Sequence, residues 1–361
     1  MSVLEAPVRR RPVFTKLRVA RVDRLTDDAA ALTFEVPADL AADYAFRPGQ
    51  SLTLRRLHEG RDERRDYSIC APEGGPLRIG VREIPGGLFS SWLVHEVSPG
   101  DEIEVLPPTG RFTADLTAPA QHVFVVAGSG ITPALSLAAS ALRDGRSTVT
   151  LLYGNRRADT VMFADELADL KDRYAERLAL VHVLSREPRD AEVTSGRLDG
   201  PRIARLVGAL VDPTTVGHWW LCGPLGLVEA ARAVLAELGV DPARVHRELF
   251  FADDAPPQPV RGDAATVTGP ASAVTVVLDG RATPLTLPRD VPVLDAAQKV
   301  RGDLPFACKG GVCGTCRARV VTGEVRMRRN WALEEDEVAA GYVLTCQSLP
   351  VSDEVTVDYD A

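Results

Sequence analysis

Cys308-Lys309-Gly310-Gly311-Val312-Cys313-Gly314-Thr315-Cys316, with Cys346 standing alone downstream, is the stretch that decides what the end of this chain is. Its cysteines are separated by four and then two residues, the C-x4-C-x2-C…C arrangement by which thiolates hold a [2Fe–2S] cluster. Gly310, Gly311 and Gly314 let the loop wrap with positive φ and aim backbone N–H groups at sulfurs that carry net negative charge. Structural zinc is the alternative, but four-cysteine zinc sites usually come as two C-x2-C knuckles, and here three candidates crowd one loop. Cys308, Cys313, Cys316 and Cys346 are therefore the expected metal ligands. The chain's six cysteines are too few for a disulfide scaffold in 361 residues.

Upstream of the loop, Val274-Thr275-Val276-Val277-Leu278 runs into Asp279-Gly280, a hairpin signal, and Val293 to Val300 predicts a short helix. Residues 272–361 thus read as a small α+β domain of the β-grasp kind. Before it, Ala252-Asp253-Asp254-Ala255-Pro256-Pro257-Gln258-Pro259 and the small polar run that follows read as a linker, 252–271. It is expected to let the last domain move between a flavin and an outside acceptor. From His122 to Leu238, apolar strands alternate with helical patterns, which predicts a parallel α/β sheet over 118–251. Residues 12–117 show short alternating strands broken by Pro48-Gly49, Gly74-Gly75-Pro76 and Pro99-Gly100, the pattern of an antiparallel β-barrel.

Each of the first two domains carries ligand motifs. In the barrel, Arg65-Asp66-Tyr67-Ser68 offers an aromatic ring for a flavin and a guanidinium fork for its phosphate. Gly86-Gly87-Leu88-Phe89-Ser90 then opens a helical pattern, and a glycine-preceded helix N-terminus is a natural pyrophosphate site. In the α/β domain, Gly128-Ser129-Gly130-Ile131-Thr132-Pro133 joins a strand to a helix so that its backbone can approach a dinucleotide. Cys222-Gly223-Pro224 ends another parallel strand, where open sheets bind ligands. Ser185-Arg186 ends a third and offers a hydroxyl and a guanidinium to a ribose 2′-phosphate, which favours NADPH over NADH. Each motif alone also fits an ordinary turn, cap or solvated arginine.

Taken together, the motifs resemble the ferredoxin–NADP reductase family, fused ahead of a plant-type ferredoxin domain. That resemblance implies that Arg65, Tyr67, Ser68, Arg82 and Gly87, Leu88, Phe89, Ser90 hold the flavin. It implies that Gly128, Ser129, Gly130, Thr132, Pro133 and Ser185-Arg186 hold the nucleotide, with Cys222, Gly223 and Pro224 beside the nicotinamide and Phe250 over the flavin. Cys222 is expected to position the nicotinamide, since hydride transfer needs no nucleophile. The cysteine loop and Gly341-Tyr342-Val343-Leu344-Thr345-Cys346-Gln347-Ser348 more narrowly resemble reductase subunits of ring-epoxidising phenylacetyl-CoA oxygenases. FAD as the flavin and a di-iron oxygenase as electron acceptor follow from that resemblance. Lys309 and Arg317 are the charges expected to meet the acceptor.

The expected function is transfer of electrons from NADPH through FAD and the [2Fe–2S] cluster to the oxygenase. A reductase for another oxygenase, such as a ring-hydroxylating dioxygenase, and a non-enzymatic redox sensor or electron carrier are the competing readings. The net charge of −8 argues against nucleic acid as a partner. Met1 to Phe14 has three arginines and no apolar run, and the apolar stretch from Val123 to Leu142 is broken by glycines and Pro133. Neither a signal peptide nor a membrane span is expected, and a cytoplasmic location follows.

Overall fold

A computed structural model describes residues 13–58, 60–250 and 270–361, so the expected linker lies, but for its last two residues, outside the described region. The first part is the expected antiparallel barrel. It comprises β1 (Thr15–Thr26), β2 (Ala29–Glu35), β3 (Ser51–His58), β4 (Arg61–Ser68), β5 (Arg78–Arg82), the helix α1 (Leu88–His95) and β6 (Glu102–Val105). The strands run in the order β4-β3-β6-β1-β2-β5, and a bridge from Ile69 to Ile79 closes the two ends on each other. Alternation explains the closure: Leu17, Val19, Leu52, Leu54, Ile79 and Val81 point inward, where α1 plugs the core with Phe89 and Leu93.

The second part is a five-stranded sheet, every strand pair of it parallel. Its elements are β7 (Gln121–Ala127), α2 (Ile131–Ala141), β8 (Thr148–Asn155), α3 (Ala164–Arg173), β9 (Leu178–Leu184), α4 (Gly200–Leu210), β10 (His218–Gly223), α5 (Leu225–Glu237) and β11 (Val245–Leu249). Val123 to Val126, and Trp219 to Cys222, are buried on both faces, as parallel strands covered by helices must be. The order β11-β10-β7-β8-β9 reverses direction between β7 and β10, so their C-terminal ends open a crevice there. α4 is an addition to the helices that the apolar rhythm singled out.

The third part has β12 (Ala271–Leu278), β13 (Arg281–Pro288), α6 (Val293–Ala297), β14 (Arg317–Thr322), β15 (Val325–Met327), α7 (Glu335–Ala339), β16 (Tyr342–Leu344), β17 (Ser348–Pro350) and β18 (Glu354–Asp358). Its main sheet has the order β13-β12-β18-β14-β16, with β12 and β18 parallel at the centre and α6 packed across it, a β-grasp arrangement. Asp279 and Gly280 both take positive φ, 55° and 68°, as the two-residue hairpin between β12 and β13 requires.

The crevice between β7 and β10 depends on one missing side chain. A Cβ on Gly130 would sit 2.3 Å from the carbonyl oxygen of Cys222, so only glycine lets the two strand ends meet. Gly130→Ala should therefore cost about 1–3 kcal/mol of stability. Gly208→Ala, inside α4 with nothing near its added methyl, should instead stabilise by about 0.5–1 kcal/mol. Urea unfolding of the two variants beside the wild type measures the contrast.

Candidate functional site at the junction of three domains

All three parts line one cleft of 1910 Å³, well above the roughly 300–1,000 Å³ of a single small-ligand pocket. From the barrel, β4 contributes Arg65, Tyr67 and Ser68, and the start of α1 contributes Gly87, Leu88, Phe89 and Ser90. Tyr67 is held against Phe89 with ring centroids 6.1 Å apart, and burial pushes its phenol well above the usual range. The turn before α1 is fastened by Ser90, whose hydroxyl accepts from the Ile84 N–H at 3.0 Å and donates to the Gly87 carbonyl at 3.2 Å. No side chain caps α1, so its first N–H groups and dipole face the cleft as a fit for a phosphate.

From the parallel sheet come Ser129 and Thr132, at the head of α2, and Glu248 and Phe250, at the end of β11. Gly128 takes φ 56°, the Tyr153 hydroxyl donates to its carbonyl at 3.0 Å, and Thr132 Oγ1 donates to the Ser129 carbonyl at 2.9 Å. Pro133 stands in the first turn of α2, where its missing N–H costs no helical bond. Arg82 reaches over this loop from the barrel, bonded to the Thr160 carbonyl and paired with Asp28 at 3.4 Å. Gly223, with φ 150°, and Pro224, at the N-cap of α5, turn the chain away above Cys222. Ser185 and Arg186 extend the pairing of β9 with β8 and leave their side chains exposed at the strand ends. Phe250 packs on the cluster that contains Cys222, Trp220 and Phe112, and it also lines the cleft.

Glu248 belongs to no sequence motif, and the fold alone brings it to the site. Ser68 donates to its carboxyl at 3.1 Å, and the Cys222 thiol lies 4.0 Å from the same oxygen. Desolvation raises the Glu248 carboxyl to about 8, with Asp66 adding to the rise and the Ser68 bond opposing it. Desolvation likewise pushes the Cys222 thiol far up, so it is a neutral contact group and no nucleophile. Hydroxyl, carboxyl and thiol thus meet from three strands on two domains, beside the crevice of the sheet.

The three loop cysteines and Cys346 come together as two pairs, Cys308 with Cys313 and Cys316 with Cys346, each joined by a thiol hydrogen bond. Two donors for each of two irons is what a [2Fe–2S] cluster asks of a protein, so the set fits. The Gly310 N–H points at the Cys308 sulfur at 3.3 Å, and the Gln347 amide N–H at the Cys346 sulfur at 3.7 Å. Gly311 takes φ 80° with Gln347 pressed against it, Gly314 takes φ 70° and Lys309 φ 52°, so the loop uses the left-handed region at these positions, though not at Gly310, contrary to expectation. Lys309 Nζ donates to Asp295 at 2.9 Å and Gln298 at 2.6 Å, and Arg317 donates to Glu337 at 2.6 Å, so both charges have partners inside their own domain.

The cluster loop is seated on the flavin-side strand. Asp66, between Arg65 and Tyr67, bonds Thr53 at 2.6 Å and reaches Cys313 and Thr315 across the boundary. Arg64 stacks on Phe306 at 4.3 Å, Glu337 takes Arg111 at 2.7 Å, and Glu334 takes Arg247 at 3.7 Å. Val312 and Trp331 pack on the core of the parallel sheet.

A capped barrel, a dinucleotide crevice and a four-thiolate loop around one cleft define a flavin and iron–sulfur reductase. Comparison with known proteins agrees part by part. Residues 16–114 match the oxidoreductase FAD-binding domain, 124–233 the oxidoreductase NAD-binding domain and 276–351 the 2Fe-2S iron-sulfur cluster binding domain. The chain is 40% identical to one of the component chains of 1,2-phenylacetyl-CoA epoxidase of Escherichia coli, over 96% of its own length and 98% of that protein. It is 34% identical to the ferredoxin reductase component of 3-ketosteroid-9-alpha-monooxygenase of Rhodococcus rhodochrous, over 99% and 100%. Phthalate dioxygenase reductase shares the fold, with a TM-score of 0.62 and 24% identity over 96% of this chain and 98% of that one. The chain belongs to the ferredoxin–NADP reductase-like oxidoreductases fused to a plant-type ferredoxin domain, and its cofactors are FAD, NAD(P)H and a [2Fe–2S] cluster. Among the described residues no helix is long and apolar enough to cross a membrane.

The raised Glu248 carboxyl has a stability signature. Because its value in the fold, about 8, exceeds its ordinary 4.5, the folded state favours the neutral acid. That contribution is full below about pH 4.5 and is lost as pH rises through about 8. Unfolding free energy measured by urea at about pH 5 and about pH 8.5 should fall for the wild type and fall less for Glu248→Gln.

Proposed function

We propose that this chain is the NADPH-dependent reductase of a di-iron oxygenase that acts on phenylacetyl-CoA. The observation that carries the reading is the 40% identity, sustained across nearly the whole of both chains, to the Escherichia coli epoxidase component. Domains at 12–117, 118–251 and 272–361 would bind flavin, nucleotide and cluster in turn, joined by the linker at 252–271. Bound there, the cofactors convert a two-electron hydride into single electrons.

The protein's own residues do the rest. In this reading Arg65, Arg82 and the α1 start from Gly87 to Ser90 hold the flavin phosphates, and Tyr67 and Phe250 bracket its ring. Gly128 to Pro133 seats the nucleotide pyrophosphate, Ser185 and Arg186 take the 2′-phosphate, and Cys222, Gly223 and Pro224 place the nicotinamide. Ser68 and Glu248 hold a proton at the reacting end of the cleft. Cys308, Cys313, Cys316 and Cys346 bind the cluster, and Asp66 and Thr53 fix its loop beside the flavin strand. Delivery outward would then require the loop to leave Asp66 and the ion pairs at Arg111 and Arg247.

Reconstitution of the purified chain with the oxygenase components, NADPH and phenylacetyl-CoA tests the assignment, with epoxidation as the expected result. Brisk turnover on another oxygenase and none here would transfer the chain to that system. Cys346→Ser should lose the cluster's visible and paramagnetic spectrum while retaining flavin, and a normal spectrum would remove Cys346 from the ligand set.

Nucleotide choice is tested separately. A bidentate arginine contact to a phosphate contributes about 1.5–3 kcal/mol, so Arg186→Ala should cut the NADPH-over-NADH preference in kcat/KM by about tenfold or more. A preference left intact would mean that Arg186 does not read the 2′-phosphate.

A further inference from the structure

Three neighbouring strands of the parallel sheet present ionisable groups on one face. His122 lies there on β7, His218 and Cys222 on β10, and His246 and Glu248 on β11. Register sets His218 beside His122, and Cys222 beside Glu248. At the upper end of this face is the Ser68–Glu248–Cys222 group; at the lower end is a histidine pair, with His218 Nδ1 3.0 Å from His246 Nε2.

The pair is held rigidly. The indole of Trp220 stacks on His246 with centroids 4.2 Å apart, and His122 stacks on His218 at 5.1 Å. Trp220 Nε1 in turn donates to His122 Nδ1 at 3.2 Å. Two imidazole nitrogens in contact must divide the roles of donor and acceptor, so His218 and His246 share a proton and do not both carry charge. Burial is the main reason that His246 is lowered to about 4. His246 and Glu248 are two residues apart on one strand, hence on one face with backbone positions roughly 7 Å apart, near enough for a short chain of water to join their side chains. Both line the cleft, and His218 is partly exposed at the start of β10.

We propose that His246 and His218 form a proton exit, taking a proton from Glu248 and releasing it to solvent at His218. The inference rests on the reading of this chain as a hydride-accepting flavin reductase. A hydride carries two electrons and one proton. Both electrons leave singly through the cluster to the acceptor, so one proton per NADPH remains at the flavin and has to depart. Ser68 already donates to Glu248, which makes that carboxyl the first station for it. Each imidazole then gains a proton on one nitrogen as it gives one up from the other, and no charge stays on the pair. Arg111 and Arg247, which line the same cleft, are bonded to Glu337 and Glu334 of the docked cluster domain, so that flank is covered while electrons pass.

The test uses the full chain loaded with flavin and cluster, as wild type, His218→Gln and His246→Gln. Stopped flow reads two half-reactions: bleaching of the flavin by NADPH, and its return when excess cytochrome c is mixed in. The return should slow in His218→Gln by about tenfold or more relative to any change in bleaching. Added imidazole buffer should restore it, which repair of a merely structural defect would not do. Long-range proton–nitrogen NMR of the wild-type imidazoles supplies a readout independent of turnover, with His218 and His246 expected as one neutral donor and one neutral acceptor near pH 7. An unchanged return rate in both variants, or imidazoles in the wild type that are not hydrogen-bonded to each other, overturns the relay. If wild-type flavin fails to bleach with NADPH, the reading beneath the relay falls instead.

Discussion

Asp66 joins the parts of this molecule that have to work together. Its carboxyl is bonded to Thr53 on the neighbouring barrel strand and to Cys313 and Thr315 on the cluster loop, and its own strand carries Arg65, Tyr67 and Ser68. A shift of the cluster domain therefore breaks a bond to the very strand that lines the flavin side of the cleft. Burial pushes the Asp66 carboxyl up, because a charge there would be desolvated, and the bonds from Thr53, Cys313 and Thr315 work the other way. That balance makes the seat dependent on its partners, since a buried carboxyl left unbonded is costly.

Around this seat the contacts grade from apolar to ionic. Val312 and Trp331 are pressed on the core of the parallel sheet, Arg64 is stacked on Phe306, and the rim holds Arg111–Glu337 and Arg247–Glu334. Burial works against the charge on Glu337, yet its backbone bond and the guanidinium of Arg111 hold the carboxyl below its ordinary range, helped by Arg317. The rim pairs, each with one exposed partner, are weakened by salt, whereas the apolar centre is not. An interface built this way holds the domain in register chiefly through its apolar centre, with the ionic rim adding orientation.

The cleft shows the same economy of groups. One face of the parallel sheet supplies Cys222 and Glu248 at the end where the nucleotide crevice opens, and the histidine pair at the other end, because a strand repeats its facing every second residue. Glycine at 130 lets the strand ends close to within contact, and the barrel brings Ser68 to the same point from outside.

Much of this was legible in the order of residues alone. The cysteine spacing, the glycine turns at Gly128 to Gly130 and Asp279-Gly280, and the change from alternating to continuous apolar strands are local features, and local features survive translation into sequence. Glu248, Asp66 and the His218–His246 pair were not legible, and neither were the partners that take up Lys309 and Arg317. A lone glutamate, aspartate or histidine has no spacing to betray it; its chemistry comes from neighbours far along the chain. The sequence by itself determined the three folding units and the cofactor classes, because covalent spacing and side-chain periodicity set them. Only the tertiary structure decided which carboxyl is raised, which imidazoles share a proton and which strand the cluster loop rests on, because desolvation and pairing exist only where distant segments meet.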